Sequence, residues 1–474
     1  MLKEFIDREE ELSFLNSKFD SDKPEFVVLY GRRRVGKTEL IKQFISDKES
    51  IYHLVSRETE KDQLSEFQES LARTFPETSD LKLDWTVLLK NLVDKKKTIL
   101  VIDEFQYLIQ TNSEILKTFQ KVWDEHLKKS DITLILTGSS VGMMESEVLG
   151  YKSPLYGRRT GQLKLKPFTL DQTRAFFPNT EFEKQIKIYS ILGGVPYYLE
   201  QFEKNRSLKE NILENIIKTG TVLREEAITL LREELREPKN YFSVLKAISS
   251  GMTRFNRISN ETGIKNRSLG KYLMRLQDLH LVEKRLPVTA SKDSKRGRYY
   301  IEDNYLDFWF KFIFPNQSYL EQNPELFYDD VIEPELDIYT SKKFEDVCKE
   351  FMVSNKTSYS KIGNWWTRGT RSSVRRNSSN SCRYKGNEID IVGLNERESK
   401  ILFSECKWTK NKVGLSLLND LKNKSKKVRW KNEKREEKYI LFSKSGFTDD
   451  LKEHAENISD LELYSLEMME EELS

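Results

Sequence analysis

The sequence predicts an α/β protein built around a parallel β-sheet with helices on both faces. Three short apolar runs, at 26–30, 98–102 and 132–136, are rich in β-branched residues and too short for helices. Continuous apolar strands of this kind are typical of parallel sheets that are covered on both faces. The segments between them, including 59–75 and 113–129, have helical spacing, and strands that alternate with helices indicate an α/β sandwich.

Length and composition indicate a multidomain protein of a reducing compartment. A chain of 474 residues predicts roughly three domains of about 150 residues each. With 37% apolar residues, 33% charged residues and a net charge of +3, overall charge says little about partners. Three cysteines provide no disulfide framework and form no zinc pattern with the four histidines. No apolar run spans a bilayer and the N-terminus lacks a signal-peptide core, so we expect a cytoplasmic protein without a membrane partner.

A phosphate-binding loop joins the first apolar run to a predicted helix at 39–45. The loop fits G-x-x-x-x-G-K-[ST] without a mismatch, in the strand-to-helix context that this motif requires. Its glycines let backbone N–H groups surround phosphates, Lys37 reaches the β and γ phosphates, and the Thr38 hydroxyl ligates Mg²⁺. The alternative is a plain glycine-punctuated turn. The predicted ATP-binding residues of the loop are Gly31, Arg32, Arg33, Arg34, Val35, Gly36, Lys37 and Thr38.

Polar residues follow the second and third predicted strands. Asp103 ends the second strand, where an acidic residue holds Mg²⁺ through water. Glu104 would orient or activate the attacking water, although it could instead cap a helix or pair with an arginine. Ser139 follows the third strand and would sense the γ-phosphate, although Gly-Ser-Ser is also ordinary turn chemistry.

These motifs belong to an ordered set that resembles the archaeal-type ATPase family, a prokaryotic group similar to AAA+ and STAND ATPases. The resemblance covers residues 1 to about 235 and, through the C-terminal segment, most of the remainder. The set comprises Phe5 to Leu12, the phosphate loop, Asp103-Glu104, Gly138 to Ser140, Tyr156 to Arg159 and Gly193 to Leu199.

The resemblance implies further roles. Asp7 and Arg8 would lie near the adenine and sugar, and Ser139 would be the sensor. Arg158, or Arg159, would act on the γ-phosphate as an arginine finger or sensor, in cis or in trans. Two adjacent arginines on a solvated strand edge are the alternative. The Gly-Val-Pro element would sit in a helical lid against the nucleotide. The oligomeric state stays open, a homo-oligomer included.

The middle segment resembles a winged helix-turn-helix. Helical patterns at 241–250, 255–262 and 267–280 precede two strand candidates at 281–286 and 298–301. The third helix has an apolar face and an opposite basic face, which matches a recognition helix for DNA. A solvated face on an interaction domain is the alternative. The predicted DNA-binding residues are Arg267, Ser268, Lys271 and Arg275, with Lys292, Lys295 and Arg296 at the wing tip.

The C-terminal segment resembles the PD-(D/E)xK nuclease core of restriction-endonuclease-like domains. Strand alternation at 388–392 and 401–408 places Asp390 on one strand and Glu405 with Lys407 on the next. The carboxylates would hold Mg²⁺, with Glu345 as an auxiliary ligand, and Lys407 would position the attacking water. An interstrand salt bridge is the alternative.

Basic residues surround this predicted centre. Residues 361–385 carry seven Lys/Arg and no acid, and 405–435 carry eleven against three acids. Such clusters suit a polyanionic substrate, although 422–435 is also compatible with a solvated basic helix. The stretch 368–385 is of low complexity and is predicted to loop out.

The predicted architecture is therefore a P-loop parallel sheet with a helical lid, a winged helix and a restriction-endonuclease-like α/β domain. We expect ATP-dependent action on DNA with a metal-dependent nuclease centre. A nucleotide-switched signalling or assembly scaffold, whose C-terminal domain binds without cleaving, remains the alternative. The predicted boundaries are 1–169 for the ATPase core, 170–238 for the lid, 239–305 for the winged helix, 306–340 for a connector and 341–474 for the nuclease-like domain.

Overall fold

The computed structural model describes residues 5–235, 237–356, 358–367 and 387–473. The predicted low-complexity loop 368–385, with most of its basic cluster, lies outside these residues. The chain forms two compact units. The first contains Met1–Phe168, Val195–Tyr197 and Asp278–His280, and the second contains Thr169–Gly194, Tyr198–Gln277 and Leu281–Ser474.

The first unit is built on a five-stranded sheet in the order β2-β3-β4-β1-β5. All neighbouring strands run parallel, which confirms the predicted α/β class. The carboxyl ends of its strands therefore meet at one edge, where the phosphate loop and Asp103 lie. The strands are β1 (Glu25–Tyr30), β2 (Ser50–Leu54), β3 (Ile99–Asp103), β4 (Thr133–Gly138) and β5 (Gly161–Lys164).

Helices cover both faces of this sheet because alternate side chains of the central strands enter two separate cores. Phe26 and Val28 of β1 pack into one core with aromatic residues of the flanking helices, including Phe119. Val27 and Leu29 pack into the other core. β1, β3 and β4 are buried at every residue, as parallel strands covered on both faces should be.

Amphipathic helices supply the other half of each core in the first unit. The helix at 115–125 buries residues at i, i+1, i+4, i+7 and i+8 spacing and leaves its polar side to solvent. The α-helices of this unit are Glu9–Phe19, Lys37–Ile45, Glu60–Ala72, Trp85–Lys90, Gln106–Thr111, Ile115–Glu125 and Val141–Met143; short 3₁₀ or π segments occupy Pro76–Asp80, Leu127–Lys129 and Met144–Val148.

Along the chain of the second unit, helices come before and after a two-stranded ribbon. Its helices up to the ribbon are Leu170–Arg174, Phe182–Leu192, Leu208–Ile212, Val222–Glu234, Pro238–Ser249, Phe255–Thr262 and Asn266–Asp278. A short helix, Pro196–Leu199, begins within the segment assigned to the first unit and ends in the second. After the ribbon follow Asn304–Phe308, Gln317–Gln322, Pro324–Phe327, Glu333–Asn355, Leu415–Ser425, Asp449–Glu456 and Leu466–Glu472; π and 3₁₀ segments occupy Leu213–Ile217, Trp309–Ile313, Phe314–Asn316 and Tyr328–Ile332.

Three of these helices and the ribbon occupy the predicted winged-helix segment. The ribbon consists of β6 (Val282–Arg285) and β7 (Arg298–Ile301), which pair antiparallel. Helix Asn266–Asp278 buries Leu269, Leu273 and Leu276 on one face. These elements lie close to the bounds that their sequence patterns predict.

A second five-stranded sheet forms the C-terminal part of this unit, in the order β12-β11-β10-β9-β8. It is mixed: β8, β9 and β10 pair antiparallel, whereas β10, β11 and β12 pair parallel. From the sequence we also expect a final strand at 438–443. β11 covers these residues, but it is not the last strand, because β12 follows it. The strands are β8 (Lys361–Trp366), β9 (Glu388–Asn395), β10 (Lys400–Lys407), β11 (Glu436–Ser443) and β12 (Leu461–Ser465).

Within the described residues, no helix combines the length and the apolar character that crossing a bilayer would require.

Candidate functional sites

The phosphate loop lies between the end of β1 and the helix Lys37–Ile45. Gly36 precedes that helix with a φ of 91°, in the left-handed region that L side chains rarely adopt. A Cβ atom at Gly31 would lie 2.3 Å from the carbonyl oxygen of Leu165, so the backbone approaches too closely for a side chain. Both motif glycines are therefore required by local geometry, and the first N–H groups of the helix form an anion-binding end.

Lys37 is buried inside this loop. Its amine donates hydrogen bonds to the carbonyl oxygens of Gly31 and Arg32, at 2.9 and 3.0 Å. Burial lowers the pKa of Lys37 to about 8, although the charges of Glu104 and Asp103 act to raise it. A desolvated cation at the centre of the loop interacts more strongly with an anion than an exposed lysine would.

Asp103, at the carboxyl end of β3, accepts four hydrogen bonds. Its Oδ2 accepts hydrogen bonds from the Thr38 hydroxyl at 3.0 Å and from the Tyr52 phenol at 2.7 Å. Its Oδ1 accepts from the Thr137 hydroxyl at 3.0 Å and from the N–H of Glu104 at 2.9 Å. Carboxylate and hydroxyl oxygens converge here, and these are the donors that Mg²⁺ prefers.

Tyr52 is a site residue that sequence analysis missed. It lies on β2, whose Leu54 is in register with Asp103 of β3. Burial and the negative charge of Asp103 raise the pKa of the Tyr52 phenol, so it stays a hydrogen-bond donor. The contact between Tyr52 and Asp103 can be recognised only when the pairing of β2 with β3 is known.

Glu104 and Ser139, both predicted from the sequence, lie together. The Ser139 hydroxyl donates a hydrogen bond to Glu104 Oε2 at 2.6 Å. The Gln106 amide, which the sequence analysis did not identify, donates to the same carboxylate and to the Ser139 hydroxyl at 3.1 Å. Glu104 has a φ of 59°, which turns its side chain out of the strand line into this cluster. The three side chains therefore form one polar network.

Arg8 lies beside the phosphate loop. Its guanidinium donates to the carbonyl oxygens of Val35 at 3.3 Å and of Lys166 at 2.7 Å, and it stacks on the Phe168 ring at 4.0 Å. Asp7 accepts the Arg8 N–H at 2.6 Å. Arg8 braces the loop through Val35, while contact of Asp7 and Arg8 with adenine and sugar stays a prediction.

Two of the three arginines of the loop, Arg33 and Arg34, contact tyrosines. The Arg33 guanidinium donates to the Tyr107 hydroxyl at 2.9 Å, and the Arg34 guanidinium lies 4.1 Å from the centre of the Tyr197 ring. Tyr197 belongs to the Gly-Val-Pro element that the family resemblance places against the nucleotide.

Arg158 is not positioned for the predicted role in cis. Its guanidinium binds Asp124 at 2.7 Å. Thr160, two residues later, pairs with Phe26 near the start of β1. Gly31 lies five residues further along that strand, or about 17 Å at ~3.3 Å per residue. Arg158 therefore lies at the amino-terminal end of the strands, whereas the loop lies at their carboxyl ends. For Arg158, only action in trans stays open. Arg159 donates a hydrogen bond to the Leu149 carbonyl oxygen at 3.4 Å.

The predicted carboxylate centre assembles in the second sheet. β9 and β10 pair antiparallel with Ile391 opposite Ser404, so Asp390 and Glu405 are the next residues along the two strands. Lys407 Nζ lies 3.0 Å from Glu405 Oε2 and 3.9 Å from Asp390 Oδ2. Asp390 Oδ2 also accepts the N–H of Cys406 at 2.9 Å. The three predicted groups converge on one face, whereas Cys406 packs into the core behind them.

Burial and the repulsion of neighbouring negative charges raise the pKa values of Asp390 and Glu345. Burial, and then the charge of Glu405, raise the pKa of Asp390 to about 7. Burial, and then the charge of Asp390, raise the pKa of Glu345 well above its ordinary value. Although burial acts to lower it, the charges of Glu405 and Asp390 raise the pKa of Lys407. Strongly raised pKa values, as for Asp390 and Glu345, are typical of the carboxyl groups of functional centres.

The predicted role of Glu345 as a metal ligand needs correction. Across the residues with described coordinates, no three His, Cys, Asp or Glu side chains are arranged to hold a metal ion. Glu345 lies near enough to Asp390 to sense its charge, but it does not complete a three-carboxylate site. The oxygen donors that fit a hard cation are those of Asp390 and Glu405.

Lys424 is a further residue of this centre that sequence analysis did not single out. It comes from the last turn of helix Leu415–Ser425, and its amine lies 2.6 Å from Glu405 Oε1. Lys424 lies nineteen positions after Glu405, and in the sequence it is one of many lysines in a basic stretch.

The predicted DNA-binding face is solvent-exposed. Arg267, Ser268, Lys271 and Arg275 lie on the side of helix Asn266–Asp278 opposite its buried leucines, and each is exposed. The ribbon is anchored rather than free, because Arg298 of β7 binds Glu388 at 2.6 Å. The basic helix face is accessible, and so are Lys292 and Lys295 between the two ribbon strands.

Comparisons with known proteins agree with this reading of the first unit. The model of an ATPase domain predominantly from Archaea matches residues 5–202, and a model of archaeal and bacterial proteins of unknown function matches residues 309–437. An uncharacterised protein of Methanocaldococcus jannaschii is 38% identical over 432 residues, which cover 90% of this chain and 92% of that protein.

Two solved structures are similar to part of this chain. The Walker-type ATPase of Pyrococcus abyssi is 23% identical with a TM-score of 0.49, covering 65% of this chain and 96% of its own. The ORC2 protein of Aeropyrum pernix, solved in ADPNP–ADP complexes, is 14% identical with a TM-score of 0.45, covering 68% and 96%.

Proposed function

This chain belongs to the archaeal-type ATPase family that carries a C-terminal domain of unknown function, and we propose that it uses ATP hydrolysis to control engagement and metal-dependent cleavage of DNA. As a family member it is an ATPase that binds ATP. The proposal concerns the metal ions, the DNA and the second activity. The observation that carries it is the convergence of Asp390, Glu405 and Lys407 on one sheet face.

The nucleotide edge has the groups that ATP hydrolysis requires. Thr38 and Asp103 would hold Mg²⁺, which supplies positive charge to the β and γ phosphates when bound. Lys37 would bind the same phosphates from inside the loop. Glu104, oriented by Ser139 and Gln106, would accept hydrogen bonds from the attacking water and draw its proton.

The phenol of Tyr52 orients Asp103, so its removal should weaken Mg²⁺ binding. For Tyr52→Phe we expect the Mg²⁺ concentration that half-saturates ATP hydrolysis to rise about tenfold, the lower end of the effect seen for groups that orient metal ligands. Nucleotide binding in the presence of a chelator should not change. Tyr156→Phe, at an exposed tyrosine of the same unit, is the matched control. An unchanged Mg²⁺ dependence would exclude this role.

The exposed face of helix Asn266–Asp278 is the proposed DNA contact. Its cations would bind phosphates, and its position after two short helices is that of a recognition helix. The ribbon beside it would contribute Lys292 and Lys295, both exposed.

Removal of three cations from this face should change the salt dependence of DNA binding. For the Arg267→Ala, Lys271→Ala, Arg275→Ala triple variant, we expect the slope of log affinity against log salt to fall by about 3. The control removes three exposed lysines of the ATPase unit, Lys121, Lys128 and Lys129. If both triple variants give the wild-type slope in a fluorescence-anisotropy titration, this face does not bind DNA.

The carboxylate centre has the chemistry of a phosphodiesterase. Asp390 and Glu405 offer hard oxygen donors, which favour Mg²⁺ or Mn²⁺. The bound ion would stabilise charge on the scissile phosphate. Lys407, between both carboxylates, would orient the attacking water or neutralise the developing charge.

A nuclease assay on supercoiled and linear duplex DNA, with and without ATP and with and without Mg²⁺, tests the proposal. We expect cleavage that needs the metal and that changes in rate with ATP. If the chain binds DNA but cuts neither DNA nor RNA with Mg²⁺ or Mn²⁺, the C-terminal domain is a binding module. The nucleotide-switched scaffold would then be the better description, and the ion pairs of Glu405 would be structural.

A further inference from the structure

We infer that Lys424 is an exchangeable counter-ion of Glu405: its ammonium group occupies the position of a divalent cation, and ion binding displaces it. This inference rests on the proposed metal centre. It assigns a role to a residue outside the D…ExK pattern.

Both oxygens of Glu405 are engaged by lysines. Oε2 is 3.0 Å from the Lys407 amine, and Oε1 is 2.6 Å from the Lys424 amine. The Glu405 side chain is only 2% exposed, so water cannot neutralise it. A buried carboxylate without a counter-charge is costly, and the two ammonium groups supply that charge. They hold positive charge where the proposed function requires a metal ion.

The two lysines differ in how firmly they are held. Lys407 lies on β10 two residues from Glu405, and its amine is shared between Glu405 and Asp390. Lys424 reaches the centre from another element, at the C-terminal end of a helix whose dipole favours a cation. The two side chains are similarly exposed, 29% for Lys424 and 33% for Lys407, so both amines have a path to solvent. Lys407 is held by two carboxylates, whereas the ion pair of Lys424 is with Glu405. Lys424 is therefore the lysine that an incoming ion displaces more easily.

Displacement would place the amine where a polyanion binds. The same helix end carries Lys422, and Lys426 follows it as an exposed residue. A lysine released from Glu405 would join this basic surface, which suits a phosphate of the substrate backbone. Lys424 would thus neutralise Glu405 when no metal ion is bound, and it would bind a substrate phosphate when the ion is bound.

Mn²⁺ binding to the full-length, nucleotide-free chain tests this role without relying on activity. Calorimetry would compare the wild type with Lys424→Gln, Lys426→Gln and Asp390→Asn; the last variant identifies heat that belongs to the carboxylate centre. We expect Lys424→Gln to bind Mn²⁺ about tenfold more tightly, because the ion no longer has to break a charged hydrogen bond. Lys426→Gln should match the wild type.

A thermal melt provides a second measurement. Lys424→Gln leaves Glu405 with one counter-ion, so its melting temperature should rise more on Mn²⁺ addition than that of the wild type. Equal or weaker Mn²⁺ binding by Lys424→Gln at the Asp390-dependent site would overturn the inference and leave the metal centre standing. No Asp390-dependent Mn²⁺ binding in any variant, together with no DNA cleavage, would instead overturn the proposed nuclease function itself.

Discussion

Lys37→Ala should abolish ATP hydrolysis, with a fall in rate of at least about 10²-fold. The buried amine is the cation at the centre of the phosphate loop, and alanine leaves only backbone N–H groups to bind the phosphates. Nucleotide affinity should fall as well. Phosphate release gives the rate, and a fluorescent ATP analogue gives the affinity. Lys42→Ala, at an exposed lysine of the same helix, is the control.

Glu104→Gln separates binding from turnover at the same edge. Glutamine keeps the shape of the side chain and an oxygen that accepts from Ser139, but it cannot take up a proton. We expect ATP binding near the wild-type level with hydrolysis lost. Wild-type hydrolysis by Lys37→Ala would refute the assignment of the loop, whereas wild-type hydrolysis by Glu104→Gln would refute only the role of Glu104.

Asp390→Ala should remove metal-dependent DNA cleavage and leave ATP hydrolysis intact. Asp390 and Glu405 are the two carboxylates that would hold the proposed ion, so alanine at position 390 removes one of its two acidic donors. ATP hydrolysis should continue because Thr38 and Asp103 form a separate site on the first unit. Both activities are measured on the same preparation. Asp420→Ala, at an exposed acid of helix Leu415–Ser425, controls for loss of negative charge.

Glu405→Gln is the companion variant, since alanine at this buried position would leave Lys407 and Lys424 without their partner. It should also stop cleavage. Cleavage by Asp390→Ala at the wild-type rate would mean that the centre is not the nuclease site. Loss of ATP hydrolysis in either variant would indicate a folding defect rather than a specific effect.

The strands that sequence analysis missed are all edge strands of their sheets. β2 and β5 are the two edges of the first sheet, and β8 and β12 are the two edges of the second. Edge strands have fewer covered positions, so their sequences mix polar and apolar residues and lack the continuous apolar run of a central strand. The central strands β1, β3 and β4 are buried at every residue, so they have continuous apolar sequences and could be predicted.

The sequence by itself determined the features that are encoded within a few neighbouring residues. The phosphate loop needs eight consecutive positions, two of them glycines with local backbone requirements. The period of two along a strand likewise sufficed to place Glu405 and Lys407 on one face. The helix at 266–278 displays its basic and apolar faces through its own 3.6-residue period.

Only the tertiary structure decided which distant side chains meet. Tyr52 reaches Asp103 because β2 pairs with β3, and Lys424 reaches Glu405 because a helix end passes beside β10. Arg158 belongs to a motif of the family, yet it precedes β5 at the amino-terminal end of the strands, whereas the phosphate loop lies at their carboxyl ends. Such contacts depend on strand order and helix packing, which arise from long-range burial rather than from local sequence pattern.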